Sequence, residues 1–232
     1  MNSPAIVRPK PIRGFENKKC IYLPCDLPSE ILSQALKKMA GAKRDLGFCS
    51  LYKLDGKSVL FGALGASAAV LGLETIIASG AEDVAVLGFC GSLCRRFRIG
   101  DAVGISRALA DEGTSRHYFP RRNSFLPSPA LAGELESAAA GLSRAVIIST
   151  DAPYRETRSW LKRSRQRGAD LVDMETSAVF ALAAFRGIRA ASLQIVSDEI
   201  FSGRQKTGFS SPLLKQRVRD VFLPLLGDRE ER

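Results

Sequence analysis

The chain has a single histidine, no Cys-x-x-Cys pair and no apolar run of the roughly 18 residues that would span a bilayer. Its five cysteines are widely spaced, whereas a zinc site needs closely spaced cysteine and histidine ligands. We therefore expect no metal site, and we interpret the cysteines as buried, reduced thiols. Aromatic residues make up only 7% of the chain, and no RNA- or DNA-binding motif is present. These absences weigh against a metalloenzyme, a membrane-spanning protein and a dedicated nucleic-acid-binding module.

Positive charge is what the chain has in excess: the formal net charge is +10 and the sequence pI is near 9.7. Such a surplus favours anionic ligands such as phosphate, nucleotides or nucleic acid. At helical spacing, a basic run is most often a solvated helix face, and the alternative is a nucleic-acid surface. The run in question comprises Arg155, Arg158, Lys162, Arg163, Arg165 and Arg167.

The first 13 residues are basic and proline-rich and carry no apolar signal-peptide core, so we predict a cytoplasmic protein. Beyond them, segments with the patterns of strands and helices alternate without repeats or low-complexity linkers. This alternation predicts an α/β fold with a central mixed sheet flanked by helices. We expect one domain over residues 19–226, preceded by an extension, 1–18. The predicted strands are 20–23, 46–53, 58–63, 84–87, 101–109, 144–149 and 190–196, and the predicted helices are 29–40, 67–79, 129–140, 155–166, 175–186 and 211–225.

Polar residues that a packed core would not favour gather at the ends of predicted strands. Residues 88–92 follow an apolar strand, and we expect them to form a turn whose glycines let the backbone approach a ligand. Residues 111–118 follow a second strand, while 172–175 and 196–199 form a third group. In open α/β sheets, ligands bind at the carboxyl ends of strands, so these segments are candidates for the chemistry.

The ordered set of segments resembles the nucleoside phosphorylase-I family, which includes purine nucleoside phosphorylases, uridine phosphorylases and methylthioadenosine nucleosidases. The resemblance extends from about residue 20 to residue 225. It implies cleavage of the N-glycosidic bond of a nucleoside, dimers that often form hexamers, and no organic cofactor, with inorganic phosphate as a possible co-substrate. The segments that carry it read GFCGSL, IGDAV, DEGTSRHY, STDAPYRET, VDMETSAVFALA and VSDEI.

The resemblance also implies roles for individual residues. Glu175 would accept hydrogen bonds from the ribose hydroxyls, and Met174 would pack against the sugar. Asp198 would be the catalytic acid that meets nitrogen N7 of a purine, and Tyr154 would replace a base-stacking phenylalanine. Taken alone, a carboxylate at a helix start or in a turn is an ordinary capping residue, so Glu175 and Asp198 have a purely structural alternative.

A purine or purine-like base is favoured over uracil. Uridine phosphorylases usually lack the acid that stands here at position 198 and hold uracil with a Gln/Arg pair. The corresponding positions are Thr157 and Ser159, which cannot replace that pair. The segment 111–118 nevertheless looks closer to the uridine phosphorylase branch, and we assign no role to its side chains. His117 within it is expected to be structural.

The phosphate-binding residues depart from the family pattern. An early glycine and arginine have become Cys25 and Ser29, and an arginine and a hydroxyl residue at a strand end have become Val86 and Phe89. The remaining candidates for a nucleophile or phosphate pocket are Gly88, Phe89, Gly91 and Arg44, with Arg44 or its neighbour Lys43 donated by a second subunit. Water could therefore replace phosphate as the nucleophile. A nucleoside-binding protein without catalytic activity is the alternative from another class.

Overall fold

The computed structural model describes residues 5–27, 30–139 and 142–228. Ser29, the first residue of the predicted helix 29–40, lies outside these ranges. Within them, the strands are β1 (Lys19–Leu23), β2 (Ala42–Asp45), β3 (Ser50–Leu54), β4 (Lys57–Phe61), β5 (Asp83–Ser92), β6 (Ala102–Asp111), β7 (Ser124–Phe125), β8 (Ser143–Thr150), β9 (Leu171–Asp173), β10 (Arg189–Glu199) and β11 (Lys206–Thr207). The helices are α1 (Ile31–Met39), α2 (Ala66–Ala78), α3 (Ser115–Tyr118), α4 (Pro129–Ala138), α5 (Arg158–Gln166), α6 (Thr176–Arg186) and α7 (Pro212–Leu226).

All the described strands belong to one mixed sheet. Its order is β11-β10-β6-β8-β9-β5-β1-β4-β3-β2, with β7 beside β6 and an additional pairing between β10 and β5. That pairing closes β10, β6, β8, β9 and β5 into a ring, from which β1, β4, β3 and β2 continue outward. The pairs β1–β5, β5–β10 and β6–β8 are parallel, whereas β6–β10, β5–β9 and β3–β4 are antiparallel. The predicted fold class is confirmed.

Strand β5 is the centre of the molecule because both of its faces are covered. Val84 and Val86 point into a cluster that includes residues of α2 and α6, while Ala85 and Leu87 point into one formed with α1, α4 and α7. Alternate residues of a strand face opposite sides, so a strand buried on both sides is apolar throughout.

No helix in the described ranges is long and apolar enough to cross a membrane.

The turn predicted at residues 88–92 is wrong, because β5 continues through Ser92. Strand β10 pairs with residues 88–92 of β5 along one edge. Strand β9 pairs with Gly91 and Ser92 along the other, so both edges of the backbone are occupied at those two residues. Gly88 lies opposite Gln194, and a Cβ added at Gly88 would stand 2.7 Å from the Gln194 Oε1. This glycine therefore leaves space for a buried side chain of β10 and not for a ligand.

Gly88→Ala is expected to lower the free energy of unfolding by roughly 1–3 kcal/mol, since the new methyl group would collide with the Gln194 amide. The amide cannot move freely, because its Nε2 donates to Thr176 Oγ1 and to Ser192 Oγ inside the core. Urea unfolding of the purified variant measures the change.

Gly133→Ala is the matched control. Gly133 lies within α4, and an added Cβ would meet no atom within 4 Å. It should leave stability unchanged or raise it by up to about 1 kcal/mol, as alanine does in a helix. Equal effects of the two substitutions would show that Gly88 has no packing role.

Candidate active site

A cleft of about 390 Å³ lies where the carboxyl ends of β1, β5, β9 and β10 meet. Strands β1, β5 and β10 are parallel, so the segments that follow them converge at one edge of the sheet. The short strand β9 is antiparallel to β5 and brings residues 172–174 to the same place. The floor comes from residues 89–91, 172–175 and 197–198, and the walls come from residues 153–158 and 203–205. Of the predicted site residues, those that line this cleft are Asp198, Glu175, Met174, Tyr154, Phe89 and Gly91.

A break in strand register aims Asp198 into the cleft. Along β10 and β5, Val196 pairs with Cys90, but the next pair is Asp198 with Gly91, so one extra residue is inserted in β10. Such a bulge redirects the side chains beside it. A Cβ added at Gly91 would stand 3.0 Å from Cγ1 of Val172, so this glycine allows the close approach of β9. The same Cβ would be at ordinary contact distance, 3.4 Å, from both Asp198 carboxylate oxygens.

Two side chains hold the Asp198 carboxylate in place. Ser197 Oγ donates to Oδ1 at 3.0 Å, and Gln205 Nε2 donates to Oδ2 at 3.1 Å. Gln205 belongs to the loop between β10 and β11, so the loop and the acid are positioned together. Asp198 itself is only partly buried and remains accessible from the cleft.

Glu175 stands immediately before α6 and is 4% exposed. Its Oε1 accepts a hydrogen bond from the backbone N–H of Gly65 at 2.6 Å, and its Oε2 accepts one from Met174 N–H at 3.3 Å. Gly65 begins α2 with a φ of 88°, a value that glycine adopts without strain. Burial and the neighbouring Asp173 charge raise the pKa of Glu175 to about 8, although the two N–H donors oppose the shift.

Asp173 is a buried partner of Glu175 for which the sequence suggested no individual role. Its carboxylate accepts hydrogen bonds from Ser149 Oγ at 2.6 Å, from Thr176 N–H at 3.0 Å and from the Thr176 hydroxyl. Burial raises its pKa as well. The charge of Asp173 is one cause of the raised pKa of Glu175, so the two carboxyl groups titrate as a pair.

Glu156 is a site residue that the sequence reasoning missed. It lines the cleft, and burial together with the charge of Asp198 raises the pKa of Glu156 to about 7. In the sequence it fell in the first turn of a predicted helix, where an acid is unremarkable because it favours the helix dipole. The structure begins α5 only at Arg158, so Glu156 precedes the helix and faces the cleft.

The side of the cleft near Cys25 and Phe89 offers no cation or hydroxyl group from these two positions. Phe89 packs edge-on against Phe222 of α7, with 5.7 Å between ring centroids, and Val86 is fully buried in the core. Burial, Glu175 and Asp26 raise the pKa of Cys25 to about 12, so its thiol is neutral. The substitutions noted in the sequence thus leave an apolar surface here.

Of the remaining predicted residues, Gly88 and Arg44 lie outside the cleft, and Tyr154 lies at its edge. Gly88 does not line the cleft, because Gln194 occupies the space beside it. Arg44 lies on β2, every residue of which is exposed, and it does not line the cleft of its own chain. Tyr154 stands at the mouth with its side chain fully exposed.

The segment 111–118 is structural in this fold. Glu112 is buried and accepts hydrogen bonds from Ser115 N–H, from the Ser115 hydroxyl and from Ser177 Oγ of α6. Asp111 accepts a hydrogen bond from Trp160 Nε1 at 2.8 Å. His117 is exposed on α3, and no residue of the segment lines the cleft. Among the residues that the structure describes, no group of His, Cys, Asp and Glu side chains is arranged to hold a metal ion.

Comparison with known proteins agrees with this fold. The family model described as the phosphorylase superfamily matches residues 53–219, well over half of the chain. The protein belongs to that superfamily, and the family predicted from the ordered segments is confirmed.

Its curated relatives include a DeoD-type purine nucleoside phosphorylase of Bacillus cereus, 30% identical over 171 residues, which are 70% of this chain and 72% of that one. A guanosine phosphorylase of Halorubrum lacusprofundi is 28% identical over 161 residues, 68% of this chain and 67% of that one. Both relatives are nucleoside phosphorylases. They therefore belong to the enzyme class that the sequence led us to expect, which cleaves the glycosidic bond of nucleosides.

Two solved structures share the fold at low sequence identity. Purine nucleoside phosphorylase of Toxoplasma gondii, in complex with immucillin-H, superposes with a TM-score of 0.77 at 18% identity, over 98% of this chain and 97% of that one. A methylthioadenosine nucleosidase variant of Helicobacter pylori gives a TM-score of 0.70 at 19% identity, over 91% and 99%. The fold is thus shared by enzymes whose names indicate phosphorylase and nucleosidase activities.

The raised pKa of Glu175 predicts how stability depends on pH. In the unfolded chain this carboxyl has its ordinary pKa of 4.5, whereas the folded value is about 8. Below pH 4.5 both states hold the proton, and the group has no effect; as pH rises toward 8, the unfolded state ionises first and is increasingly favoured. Glu175→Gln should therefore be more stable than the parent at pH 8.5 by roughly 1 kcal/mol or more, and no more stable at pH 4.5.

Thermal unfolding at several pH values measures this difference. Glu82→Gln is the control, because Glu82 is exposed and forms only a surface ion pair with Lys18. Its effect should be small at every pH. A Glu175→Gln curve parallel to that of the parent would mean that Glu175 ionises normally in the folded protein.

Proposed function

We propose that the protein cleaves the N-glycosidic bond of purine nucleosides. The observation that carries this proposal is that one cleft joins a buried carboxyl group, Glu175, to a second acid, Asp198, that a strand bulge aims inward. Cleavage of this bond develops positive charge on the sugar and negative charge on the departing base. A site for it must hold the sugar and supply a proton or hydrogen bond to the base.

At the sugar end, Glu175 accepts hydrogen bonds from the ribose 2′- and 3′-hydroxyls, and Met174 packs against the ring. Gly65 N–H and Met174 N–H fix the carboxylate before the sugar arrives. Hydrogen bonds from sugar hydroxyls favour the ionised form, so substrate binding lowers the pKa of Glu175 from its value in the empty cleft.

At the base end, Asp198 donates a hydrogen bond or proton to N7 of the purine. Glu156 shares this part of the cleft, and two neighbouring carboxylates resist carrying two negative charges. Glu156 therefore retains a proton near neutral pH, in the same cleft as the acid that meets the leaving base. Tyr154 supplies an aromatic face at the mouth, against which the base stacks.

The nucleophile is either phosphate, which yields ribose 1-phosphate, or water, which yields free ribose. The curated relatives named above are phosphorylases. The apolar surface at Cys25 and Phe89 favours water, because it lacks the charge-assisted donors that phosphate needs. We accordingly retain hydrolysis as a second candidate function, and inorganic phosphate as a possible co-substrate.

We further propose a cytoplasmic homodimer or hexamer. Arg44 is exposed on the edge strand β2, where a second copy of the chain could place it beside the cleft. A homo-oligomer is the arrangement that would give Arg44 a role in binding the nucleophile.

A panel of nucleosides, incubated with and without phosphate, tests the function and its nucleophile. Inosine, guanosine, adenosine, methylthioadenosine and uridine are compared by following free base and both sugar products. We expect release of purines but not of uracil. Free ribose formed equally in both buffers would establish hydrolysis, whereas ribose 1-phosphate formed only with phosphate would establish phosphorolysis. No turnover of any member would contradict the proposal and leave a nucleoside-binding protein.

The two acids at the base end give separate predictions. Asp198→Asn should lower kcat/KM at least about 100-fold, as expected for loss of a general acid. In the parent enzyme, kcat/KM should fall as pH rises through about 7, because Glu156 then loses its proton and adds a negative charge to the part of the cleft that holds the departing base. Glu156→Gln stays neutral at every pH, so this fall should be absent from its profile. Steady-state kinetics from pH 5 to 9 measures both effects.

Asp220→Asn is the control, because Asp220 lies on α7 outside the cleft and only accepts a hydrogen bond from Gln216. It should match the parent at every pH. Unaltered kinetics in Asp198→Asn would show that Asp198 is not the general acid. A pH profile of Glu156→Gln identical to that of the parent would show that Glu156 does not cause the pH dependence.

A further inference from the structure

Two arginines line the mouth of the cleft beside the loop that carries Gln205. Arg158 is the first residue of α5, and Arg204 lies in the loop between β10 and β11; both are exposed. The loop is fixed at both ends, since Arg165 Nη2 donates to the Phe201 carbonyl oxygen at 2.9 Å and Gln205 donates to Asp198. Arg204 is therefore presented by an ordered segment.

The side chain of Arg158 rests against that same loop. Its Nε is 3.4 Å from the place where a Cβ of Gly203 would stand, and Gly203 has a φ of +77° that favours glycine. Arg158 thus lies directly beside the residue that precedes Arg204. Two elements far apart in the sequence bring their cations to one edge of the cleft.

Neither arginine serves the fold through an ion pair. In the described ranges, no carboxylate lies within 4.0 Å of the guanidinium of Arg158 or Arg204, whereas Arg98 pairs with Glu199 and Arg167 with Asp111 nearby. Arg158 also occupies the first turn of α5, which contains no acid and where the helix dipole disfavours a cation. These two charges remain available to a ligand.

The charges of the cleft decide where an anion can bind. Its interior is lined by the carboxyl groups of Glu156, Asp173, Glu175 and Asp198, which offer an anion no positive charge, while the arginines stand outside them. In a purine, the substituent at C6 is next to N7. If N7 meets Asp198, as in the proposed function, a C6 substituent leaves the base toward Gln205 and Arg204.

We propose that Arg158 and Arg204 form an anion subsite, and that the preferred substrates are purine nucleosides whose C6 substituent ends in a carboxylate. This inference rests on the proposed function and specifies its substrate class. The guanidinium groups bind the carboxylate by charge-assisted hydrogen bonds, for which the planar arginine side chain is well suited.

The test compares N6-(carboxymethyl)adenosine with N6-(carbamoylmethyl)adenosine, which has nearly the same shape but a neutral amide. We expect kcat/KM to be at least about tenfold higher for the acid, the effect of a hydrogen bond to a charged group. The double variant Arg158→Gln/Arg204→Gln should bring the ratio of the two kcat/KM values to within about twofold of one. Calorimetric titration with the two corresponding free bases should show the same preference in binding.

Lys162→Gln/Arg163→Gln is the matched control. It removes the same charge from the exposed face of α5, but neither residue lines the cleft. It should keep the parent preference for the acid; an equal loss would assign the effect to the general positive field and overturn the subsite.

The outcomes also separate this inference from the proposed function. Cleavage of both nucleosides with equal kcat/KM would overturn the subsite and leave the proposed function standing. Cleavage of neither would remove the proposed function, and the titration would then decide the subsite by itself: a preference for the acidic base that the arginine variant abolishes supports it, and equal binding overturns it.

Discussion

The parallel pairing of β5 with β10 is the contact on which the remaining structure depends. It closes the ring of strands, occupies one edge of β5 and sets the register that brings the two strand ends to one edge of the sheet. It also explains a glycine of β5, because Gly88 leaves space for Gln194. The same pairing therefore specifies the core packing at Gln194 and, through the bulge between Val196 and Asp198, the position of the Asp198 carboxylate.

Burying carboxyl groups is the main physical cost of this site. Glu175 and Asp173 are almost completely enclosed, and an isolated buried charge would cost several kcal/mol. Part of that cost is offset by donors that point at them: Gly65 N–H and Met174 N–H for Glu175, and Ser149 and Thr176 for Asp173. The remainder is expressed as raised pKa values. The ribose hydroxyls of a substrate would supply further hydrogen-bond donors to Glu175, so substrate binding would stabilise the ionised carboxylate.

Charge in the cleft is divided by depth. Acids occupy the interior and arginines the mouth, whereas the surface beside Cys25 and Phe89 is apolar. This division suits a neutral sugar and base inside, an anionic group at the mouth, and a nucleophile that needs no cationic clamp. Among the residues that the structure describes, Arg158 and Arg204 are the cations that line the cleft, and the other Lys and Arg residues lie outside it.

The sequence by itself determined the alternation of strands and helices, the family and the two acids Asp198 and Glu175. These follow from local periodicity and from an ordered set of short segments. Helix α5 shows the limit of local signals. Its predicted start at residue 155 placed Glu156 inside the helix, whereas the helix begins at Arg158 and Glu156 lines the cleft. Only the tertiary structure decided that residues 88–92 are a strand, that Glu112 is structural, that Glu156 faces Asp198 and that Arg158 meets the loop of Arg204. Each of these depends on contacts between residues far apart in the chain, and a pattern within one segment contains no information about its distant partner.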